Sequence, residues 1–202
     1  IWNGALLRFR IFGVHKPIEV TKEHPLLFTS GYEDKIEFEE ASEIRRGYLA
    51  IPTLEKVVFD KTIYHFEKEK DFLWVLGVYL AEGSLDKAEV NFTLSQTETD
   101  KALKIQEIMK KYGGKVYIKV RKPNRGKGLD VTLFGYDWEK IFEELGSRGT
   151  KKLNSRLMFL EPELQLEIFK GWADGDGWLD EERNRTIGVT TSEELLWQMY
   201  YI

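Results

Sequence analysis

The feature that most constrains the fold of this chain is a weak internal repeat of small residues and acids. Residues 76–83 read LGVYLAEG and residues 170–177 read KGWADGDG, so each copy has a glycine, three residues, a small residue, an acid and a glycine. Positions four apart share one face of a helix, so each copy predicts a helix with a stripe that lets another backbone approach closely. Because two such stripes suit each other, the repeat predicts two equivalent helices packed together.

An acid lies near the end of each copy. Gly83 and Gly177 stand where helices commonly end in the left-handed conformation, which predicts that Glu82 and Asp176 lie in the last turn. A helix C-terminus carries about half a negative charge, so an acid there costs a few tenths to about 1 kcal/mol, and neighbouring acids repel further. A divalent cation reverses both penalties, and carboxylate oxygens suit Mg²⁺. The pair therefore predicts a shared Mg²⁺ site, with two solvated helix ends as the alternative.

The chain changes character near its first third. Residues 1–67 alternate in short segments divided by Gly and Pro, which predicts an all-β domain, whereas long helical patterns begin after residue 68 and predict a second domain over 68–202. The fold class is therefore α+β. Strands are predicted at 6–12, 18–21, 26–29, 36–38, 48–51 and 90–94, and over 116–120 and 129–133 as an antiparallel hairpin. Helices are predicted at about 70–82, 98–112, 136–145, 162–174 and 191–201.

Composition excludes several chemistries. The chain has no cysteine, so disulfides, thiolate zinc sites and a cysteine nucleophile are absent from these residues. The net charge of −4 argues against uniform coating of nucleic acid, so any DNA contact must be local. The longest apolar run, 72–81, is about half of the roughly 20 residues that a membrane span needs, and the N-terminus lacks a signal-peptide pattern. We expect a soluble, cytoplasmic protein with no membrane partner.

The two motifs resemble those of the LAGLIDADG homing endonucleases, whose named motifs form paired central helices ending in metal-binding acids. The functional acid of that family falls on Glu82 in the first copy and on Asp176 in the second. Glu82 replaces the usual aspartate and lengthens the reach to the metal. The resemblance implies an αββαββα domain with repeat one at 70–147 and a truncated repeat two at 148–202, forming a pseudo-twofold monomer. It also implies Mg²⁺-dependent, site-specific hydrolysis of both strands of double-stranded DNA, with these acids as catalytic metal ligands.

Two further segments extend this resemblance. The Lys151-Lys152 segment is similar to the lysine-containing segment before the second motif of intein-embedded endonucleases, which implies a catalytic role for Lys151. Whether Lys151 or Lys152 is the functional lysine stays open, and a solvated basic linker is the alternative. The family places β-ribbons in the DNA major groove, a role that the 116–133 hairpin would take unless it is a solvated basic loop. The implied DNA-binding residues are Tyr117, Lys119, Arg121, Lys122, Arg125 and Lys127.

The first domain carries a second resemblance. Thr21-Lys-Glu-His24 resembles the Thr-x-x-His block of Hint-type intein splicing domains, in which the histidine, aided by the threonine, polarises the amide at the N-terminal splice junction. Thr21 and His24 are therefore expected to serve splicing, whereas His15 and His65 fit no motif. The chain opens with no Cys or Ser nucleophile and does not close with His-Asn, so we expect an internal piece of an intein, with exteins from a host protein as its partners.

Two alternatives to an active homing endonuclease stay open. The first is a self-splicing intein whose nuclease domain is catalytically inert. The second is a non-cleaving nucleic-acid-binding module of the same fold. Acids in both motif copies disfavour each alternative, because a degenerate copy is expected to lose one of them.

Overall fold

The computed structural model describes residues 4–10, 17–29, 36–44, 48–49, 69–87, 89–122, 126–135, 137–180, 183 and 185–202. The chain forms two compact units, which comprise residues 1–55 and 56–202. The predicted domain boundary after residue 67 falls outside the described residues and stays a prediction.

The first unit consists of short antiparallel strands in its described part. Strand β1 (Leu7–Phe9) pairs with β2 (Ile18–Val20), and β3 (Pro25–Thr29) lies between β4 (Glu37–Glu40) and β5 (Tyr48–Leu49). Each of these strands overlaps a strand predicted from alternation and from Gly and Pro boundaries. Sheets this small are compatible with many β folds, so the likeness to a splicing domain stays a prediction.

The second unit contains a four-stranded antiparallel sheet. Its strands are β6 (Gly83–Asp86), β7 (Glu89–Leu94), β8 (Lys115–Val120) and β9 (Leu129–Phe134), in the order β6-β7-β9-β8. Because side chains alternate along a strand, one face of the sheet is apolar and buried. That face carries Val90, Phe92, Leu94, Val116, Leu129, Val131 and Leu133. The predicted β8–β9 hairpin is confirmed, and its polar side chains lie on the opposite face.

The helices of the second unit match the predicted set, with one addition. The added helix, α4 (Ser155–Met158), is only one turn long and shows no apolar periodicity, so no pattern predicted it. The Asn154 side chain caps it by accepting a hydrogen bond from the Leu157 N–H at 3.0 Å. The described helices are α1 (Lys70–Glu82), α2 (Thr99–Lys111), α3 (Trp138–Glu143), α4 (Ser155–Met158), α5 (Pro162–Asp176) and α6 (Glu193–Tyr201).

Helix α1 is the centre of the core. All residues from Phe72 to Leu80 are buried, because α1 packs against the sheet, α2 and α5, as its apolar surface predicts. The Tyr79 ring lies 4.7 Å from the Phe142 ring and 6.1 Å from the Phe92 ring, measured between centroids. Burying an aromatic side chain contributes on the order of 1.5–3 kcal/mol, so this cluster fixes α1 on the sheet.

The internal repeat is visible in the fold. Strands β10 (Gly177–Asp180) and β11 (Arg185–Gly188) follow α5 as β6 and β7 follow α1, and α6 then takes the place of α2. In both copies the motif glycine is the first residue of the strand, with Gly83 opposite Phe92 and Gly177 opposite Gly188. The second unit therefore has mixed α and β structure in which two similar helix-hairpin-helix segments place their acids at the same position.

Candidate functional site

Helices α1 and α5 meet along their small residues. A Cβ atom on Gly77 would lie 2.7 Å from the Trp172 nitrogen and 2.9 Å from the Gly171 Cα, so the two backbones are in direct contact. One turn further on, a Cβ on Gly175 would lie 3.2 Å from the Glu82 Cγ. The predicted packing of the two stripes is confirmed, and it brings the acid-bearing end of α1 against the last turn of α5.

A hydrogen bond between the same helices fixes their register. The Trp74 indole N–H of α1 donates to the Asp174 carboxylate of α5 at 2.7 Å. The Lys104 ammonium of α2 lies 3.6 Å from the centre of the Trp74 ring, within the range of a cation–π contact. Because Asp174 is two residues before Asp176, this contact also holds the second acid in place.

The two motif glycines do not adopt the predicted left-handed conformation. Gly83 has φ −82° and Gly177 has φ −121°, both in the extended region, because each helix continues directly into a strand. Glycine is needed there for space: a Cβ on Gly177 would lie 2.7 Å from the Ala173 carbonyl oxygen, and one on Gly83 would overlap the Tyr79 side chain. The acids still fall on the last helical residue, as predicted, but for a different reason.

Both acids are partly buried and electrostatically strained. Burial raises the pKa of Glu82, and repulsion from Asp176 and Glu98 raises it further, against the attraction of Lys101 and Lys151. Burial also raises the pKa of Asp176, and Lys151 opposes that change. Since repulsion between two carboxylates is mutual, the pair holds its negative charge less readily than two separate acids would. A cation placed between them would therefore be bound with a favourable electrostatic energy.

Lys151 lies beside this pair and is almost fully buried, with 6% of its surface exposed. Its ammonium group donates a hydrogen bond to the Ala81 carbonyl oxygen at 2.7 Å, at the C-terminal end of α1. Burial lowers the pKa of Lys151 to about 8, although Asp176 and Glu82 both favour its charged form. The neighbouring Lys152 side chain is exposed, so the structure places Lys151 and not Lys152 next to the acids.

Helix α6 holds the segment that carries Lys151. The Ser192 hydroxyl donates to the Lys151 carbonyl oxygen at 2.6 Å. The Gln198 side-chain amide pairs with the backbone of Leu153, accepting from its N–H at 2.6 Å and donating to its carbonyl at 2.9 Å. Sequence reasoning assigned no role to Ser192 or Gln198, because only the folded chain brings α6 onto this segment.

A second lysine, which the sequence analysis missed, lies at the end of α5, the other helix of the pair. The Lys101 ammonium forms an ion pair with Glu98 and donates to the Asp174 carbonyl oxygen at 2.5 Å, in the last turn of α5. The sequence analysis gave Glu98 and Lys101 no role beyond the start of the helix predicted at 98–112. Both residues lie at the start of α2, the helix that follows the β6–β7 hairpin, 16 and 19 residues after Glu82. That position relative to the acid is the sequence signal that could have found them.

An open cleft of about 370 Å³ lies at this point, between α1, α5 and the segment that carries Lys151. It is lined by Leu80, Ala81, Arg148, Lys151, Asp176, Val189, Thr190 and Thr191. Within the described ranges, no group of three or more His, Asp or Glu side chains is placed to share a metal ion. Mg²⁺ commonly takes only one or two protein carboxylates and completes its shell with water and substrate phosphate, so Glu82 and Asp176 fit this ion.

The polar face of the four-stranded sheet forms the second candidate surface. It contains a shallow depression of about 450 Å³ lined by Asn91, Tyr117, Lys119, Asp130, Thr132 and Phe134. Tyr117 and Lys119 are exposed on this face, as predicted. The alternation at 116–120 predicts that Val120 packs inward with Val116 and Ile118, but Val120 is 60% exposed, because it is the last residue of the edge strand β8.

The predicted basic residues of this surface differ in whether their side-chain donors are already used by contacts within the protein. The Arg121 guanidinium donates to the Asp130 carboxylate at 2.6 Å and to the Thr93 hydroxyl at 2.8 Å, so its hydrogen bonds are largely used within the sheet. Lys122 and Lys127 are exposed at either end of the connecting loop. Arg125 lies outside the described residues.

The two residues predicted to serve splicing lie together in the first unit. The His24 N–H donates to the Thr21 carbonyl oxygen at 3.2 Å, which closes a tight turn, and the His24 side chain is exposed directly before β3. The histidines at positions 15 and 65 lie outside the described residues. A role in splicing stays a prediction for Thr21 and His24.

Comparisons with known proteins give distant relatives. No family model matches the chain. It is 28% identical over 142 residues to an uncharacterized protein of Methanocaldococcus jannaschii and 28% identical over 204 residues to the replication factor C small subunit of the same organism. These matches cover 67% and 85% of this chain but only 17% and 11% of the two relatives, so the chain spans a small part of each.

Two solved structures are also similar. The crystal structure of the N-terminal LAGLIDADG domain of DUF199/WhiA has 17% identity and a TM-score of 0.44, covering 69% of this chain and 66% of that one. Full-length DUF199/WhiA from Thermatoga maritima has 18% identity and a TM-score of 0.37, covering 63% of this chain and 37% of that one.

In the described part of the chain, no helix combines the length and apolar content needed to cross a bilayer. The predicted cytoplasmic location stays a prediction.

Proposed function

We propose that the second unit is a nucleic-acid-binding module of the LAGLIDADG type that cleaves double-stranded DNA with the help of Mg²⁺. The observation that carries this proposal is the convergence of two equivalent helices whose terminal acids, Glu82 and Asp176, lie beside the buried Lys151. Ordinary helix ends avoid such an arrangement, because acids at a helix C-terminus repel both the helix dipole and each other. A binding site for a cation and a phosphate would account for the arrangement, because a bound cation offsets this repulsion.

The proposed chemistry is the hydrolysis of a phosphodiester in each DNA strand. When bound, Mg²⁺ supplies a hydroxide nucleophile at neutral pH and stabilises the developing oxyanion. Glu82 and Asp176 would hold the ion from two sides, with the remaining positions left to water and phosphate oxygens. Lys151 has two further ammonium protons beyond the one given to Ala81, and it would donate them to the attacking water or to a phosphate oxygen.

The polar sheet face supports binding of duplex DNA. A two-stranded ribbon fits the major groove, and the β8–β9 hairpin presents Tyr117 and Lys119 on an exposed face. The cation at position 119 can contact phosphate, while the Asn91 side-chain NH₂, whose amide oxygen accepts from the Thr132 hydroxyl at 2.7 Å, can donate to base edges. The pseudo-twofold arrangement of the acids suits a duplex, whose two strands are also related by a twofold axis.

The relatives indicate the kind of polypeptide in which a segment like this one is found. Each match covers a short segment of a much longer chain, which supports an element embedded in a larger polypeptide. We therefore keep an intein-borne endonuclease as the finer form of the proposal. The rival is a module of the same fold that binds nucleic acid without cutting it.

Cleavage of selected duplexes tests the proposal. Duplexes that bind the chain are first enriched from a randomised library, and cleavage is then followed with Mg²⁺ or EDTA. We expect Mg²⁺-dependent cleavage by the wild-type chain and at least a hundredfold loss in Glu82→Gln and in Asp176→Asn, with binding nearly intact. Asp86→Asn, which changes an exposed carboxylate four residues after Glu82, is the matched control and should cut normally.

The possible outcomes separate the two readings. Sequence-selective binding without cleavage would favour the non-cutting module. Cleavage at the wild-type rate by both acid variants would refute the proposed site.

A further inference from the structure

The two halves of the site are not chemically equivalent. Sixteen residues after the acid, repeat one has Glu98 and repeat two has Ser192; nineteen residues after it, repeat one has Lys101 and repeat two has Leu195. These positions lie in the first turn or cap of α2 and α6, which occupy equivalent places in the fold. The asymmetry therefore lies directly beside the acid pair and comes from the replacement of only a few side chains.

Glu98 is held firmly by its own helix start. Its carboxylate accepts a hydrogen bond from the Ser95 N–H at 2.7 Å, while the Ser95 hydroxyl accepts from the Thr97 N–H, forming a capping box. The same carboxylate forms the ion pair with Lys101, whose side chain is only 14% exposed. Because Glu98 cannot follow Lys101 without breaking the cap, the ion pair restrains the lysine.

The Lys101 ammonium is consequently held by contacts within the protein. Two of its ammonium protons are used by Glu98 and by the Asp174 carbonyl oxygen. Lys151 differs, because within the described part of the chain its ammonium forms no ion pair within 4 Å and donates its hydrogen bond to the Ala81 carbonyl oxygen. A phosphate that approaches the pair would meet an available ammonium on one side and an ion-paired one on the other.

We propose, building on the proposed nuclease function, that Glu98 is a positioning residue that withholds Lys101 from one of the two scissile phosphates. The strand served by Lys151 is then cut first, and the second strand is cut slowly, so a nicked duplex is a lasting intermediate. In each nick the oxygen of one water molecule forms a P–O bond, the ester P–O bond breaks, and a proton from the water ends on the leaving sugar oxygen. No further reactant is needed, and the two steps differ only in how well the phosphate charge is stabilised.

Strand-resolved kinetics test this proposal. A duplex enriched by binding to the wild-type chain carries a different fluorophore on each strand, and single-turnover cleavage is followed in Mg²⁺. We expect the wild-type chain to cut one strand about tenfold faster than the other, since one charge-assisted hydrogen bond separates the two centres. Glu98→Gln keeps an acceptor for Ser95 but removes the charge that holds Lys101, so it should accelerate the slow strand several-fold and leave the fast strand unchanged.

Two further variants separate positioning from general damage. Lys101→Met should leave the slow strand slow and, combined with Glu98→Gln, should cancel the acceleration, because no ammonium is left to release. Glu107→Gln changes an exposed acid on the same helix and should preserve the wild-type ratio of strand rates. A purely structural role of Glu98 would slow both strands together in Glu98→Gln, and that result would overturn the proposal.

NMR spectroscopy measures the restraint on the Lys101 ammonium directly, without DNA or metal. The ¹⁵N-labelled ammonium of Lys101 should give an NMR signal protected from proton exchange in the wild-type chain and an exchange-broadened one in Glu98→Gln. Equal rates on the two strands in the wild-type chain, or an unchanged strand ratio in Glu98→Gln, would overturn the inference alone. If the wild-type chain cuts neither strand, the proposed function fails first and the inference fails with it.

Discussion

Replacing Lys151 with methionine should make the stability of the second unit depend less on pH above neutrality. The ordinary pKa of a lysine is 10.5, and burial lowers that of Lys151 to about 8. Between these values the unfolded chain holds a proton that the folded chain releases. Since stability rises with pH wherever the unfolded state binds more protons, Lys151 should raise the free energy of unfolding from pH 8 to 10.5.

The magnitude follows from the size of the pKa change. One pKa unit corresponds to about 1.4 kcal/mol, so lowering the pKa of Lys151 to about 8 gives a difference of about 3 kcal/mol. Below pH 8 the folded chain bears this cost in full, because the buried ammonium is charged. Methionine has a similar length and no charge, so Lys151→Met should remove the cost and be more stable than the wild-type chain at pH 7. The advantage should disappear towards pH 10.5.

Urea unfolding at several pH values provides the assay. Trp74, Trp138 and Trp172 all lie in the second unit, and their fluorescence reports its unfolding. With EDTA present and m values of about 1–3 kcal/mol/M, the difference between the two chains should change by roughly 1–3 M in urea midpoint over this range.

Lys152→Met provides the matched control, because the Lys152 side chain is exposed. Its stability relative to the wild-type chain should stay constant with pH. A constant difference for Lys151→Met as well would refute the inferred burial of a charged lysine beside the acids.

Two other predictions concern the sheet face and the helix contact. Lys119→Ala should reduce the salt dependence of DNA binding by roughly one counterion, whereas Arg121→Ala should barely change it, because Arg121 is already bonded to Asp130; equal changes in the two salt slopes would contradict this assignment. Gly171→Ala should destabilise the second unit by about 1–3 kcal/mol in urea unfolding, because a Cβ there would lie 3.0 Å from the Gly77 Cα. The control Gly149→Ala should be neutral, because a Cβ there would have no neighbour nearer than 4.0 Å.

The elements that carry the acids were predictable because their signals are local. A run of apolar residues with glycine and alanine four apart is compatible with few structures other than a buried helix in close contact with another. The alternation at 116–120 and 129–133 likewise specified two half-exposed strands and the hairpin between them. In each case the period of the pattern matches the period of the element, so no knowledge of distant contacts was required.

The details that sequence reasoning missed depend on side-chain contacts that the folded chain makes. Glycine at position 83 is compatible with a left-handed turn and with close packing, and only the position of the Tyr79 ring decides between them. The availability of Arg121 depends on its neighbours across the sheet, including Asp130 nine residues away. The placement of Lys151 rather than Lys152 beside the acids depends on contacts that hold this segment, among them the Ser192 hydroxyl and the Gln198 side chain of α6. None of these outcomes changes the local hydrophobic pattern.

The two lysines explain how the acid pair is tolerated before any cation binds. Lys151, near the start of repeat two, bonds to the Ala81 carbonyl at the end of α1, while Lys101 of repeat one bonds to the Asp174 carbonyl at the end of α5. Each half therefore supplies a positive charge to the negative helix end of the other half, where a cation is favoured. These crossed contacts offset the repulsion between Glu82 and Asp176 without joining the lysines to either acid. The carboxylates consequently stay available to a metal ion, and the Lys151 ammonium, whose burial costs folding stability, is already placed where a phosphate charge would arrive.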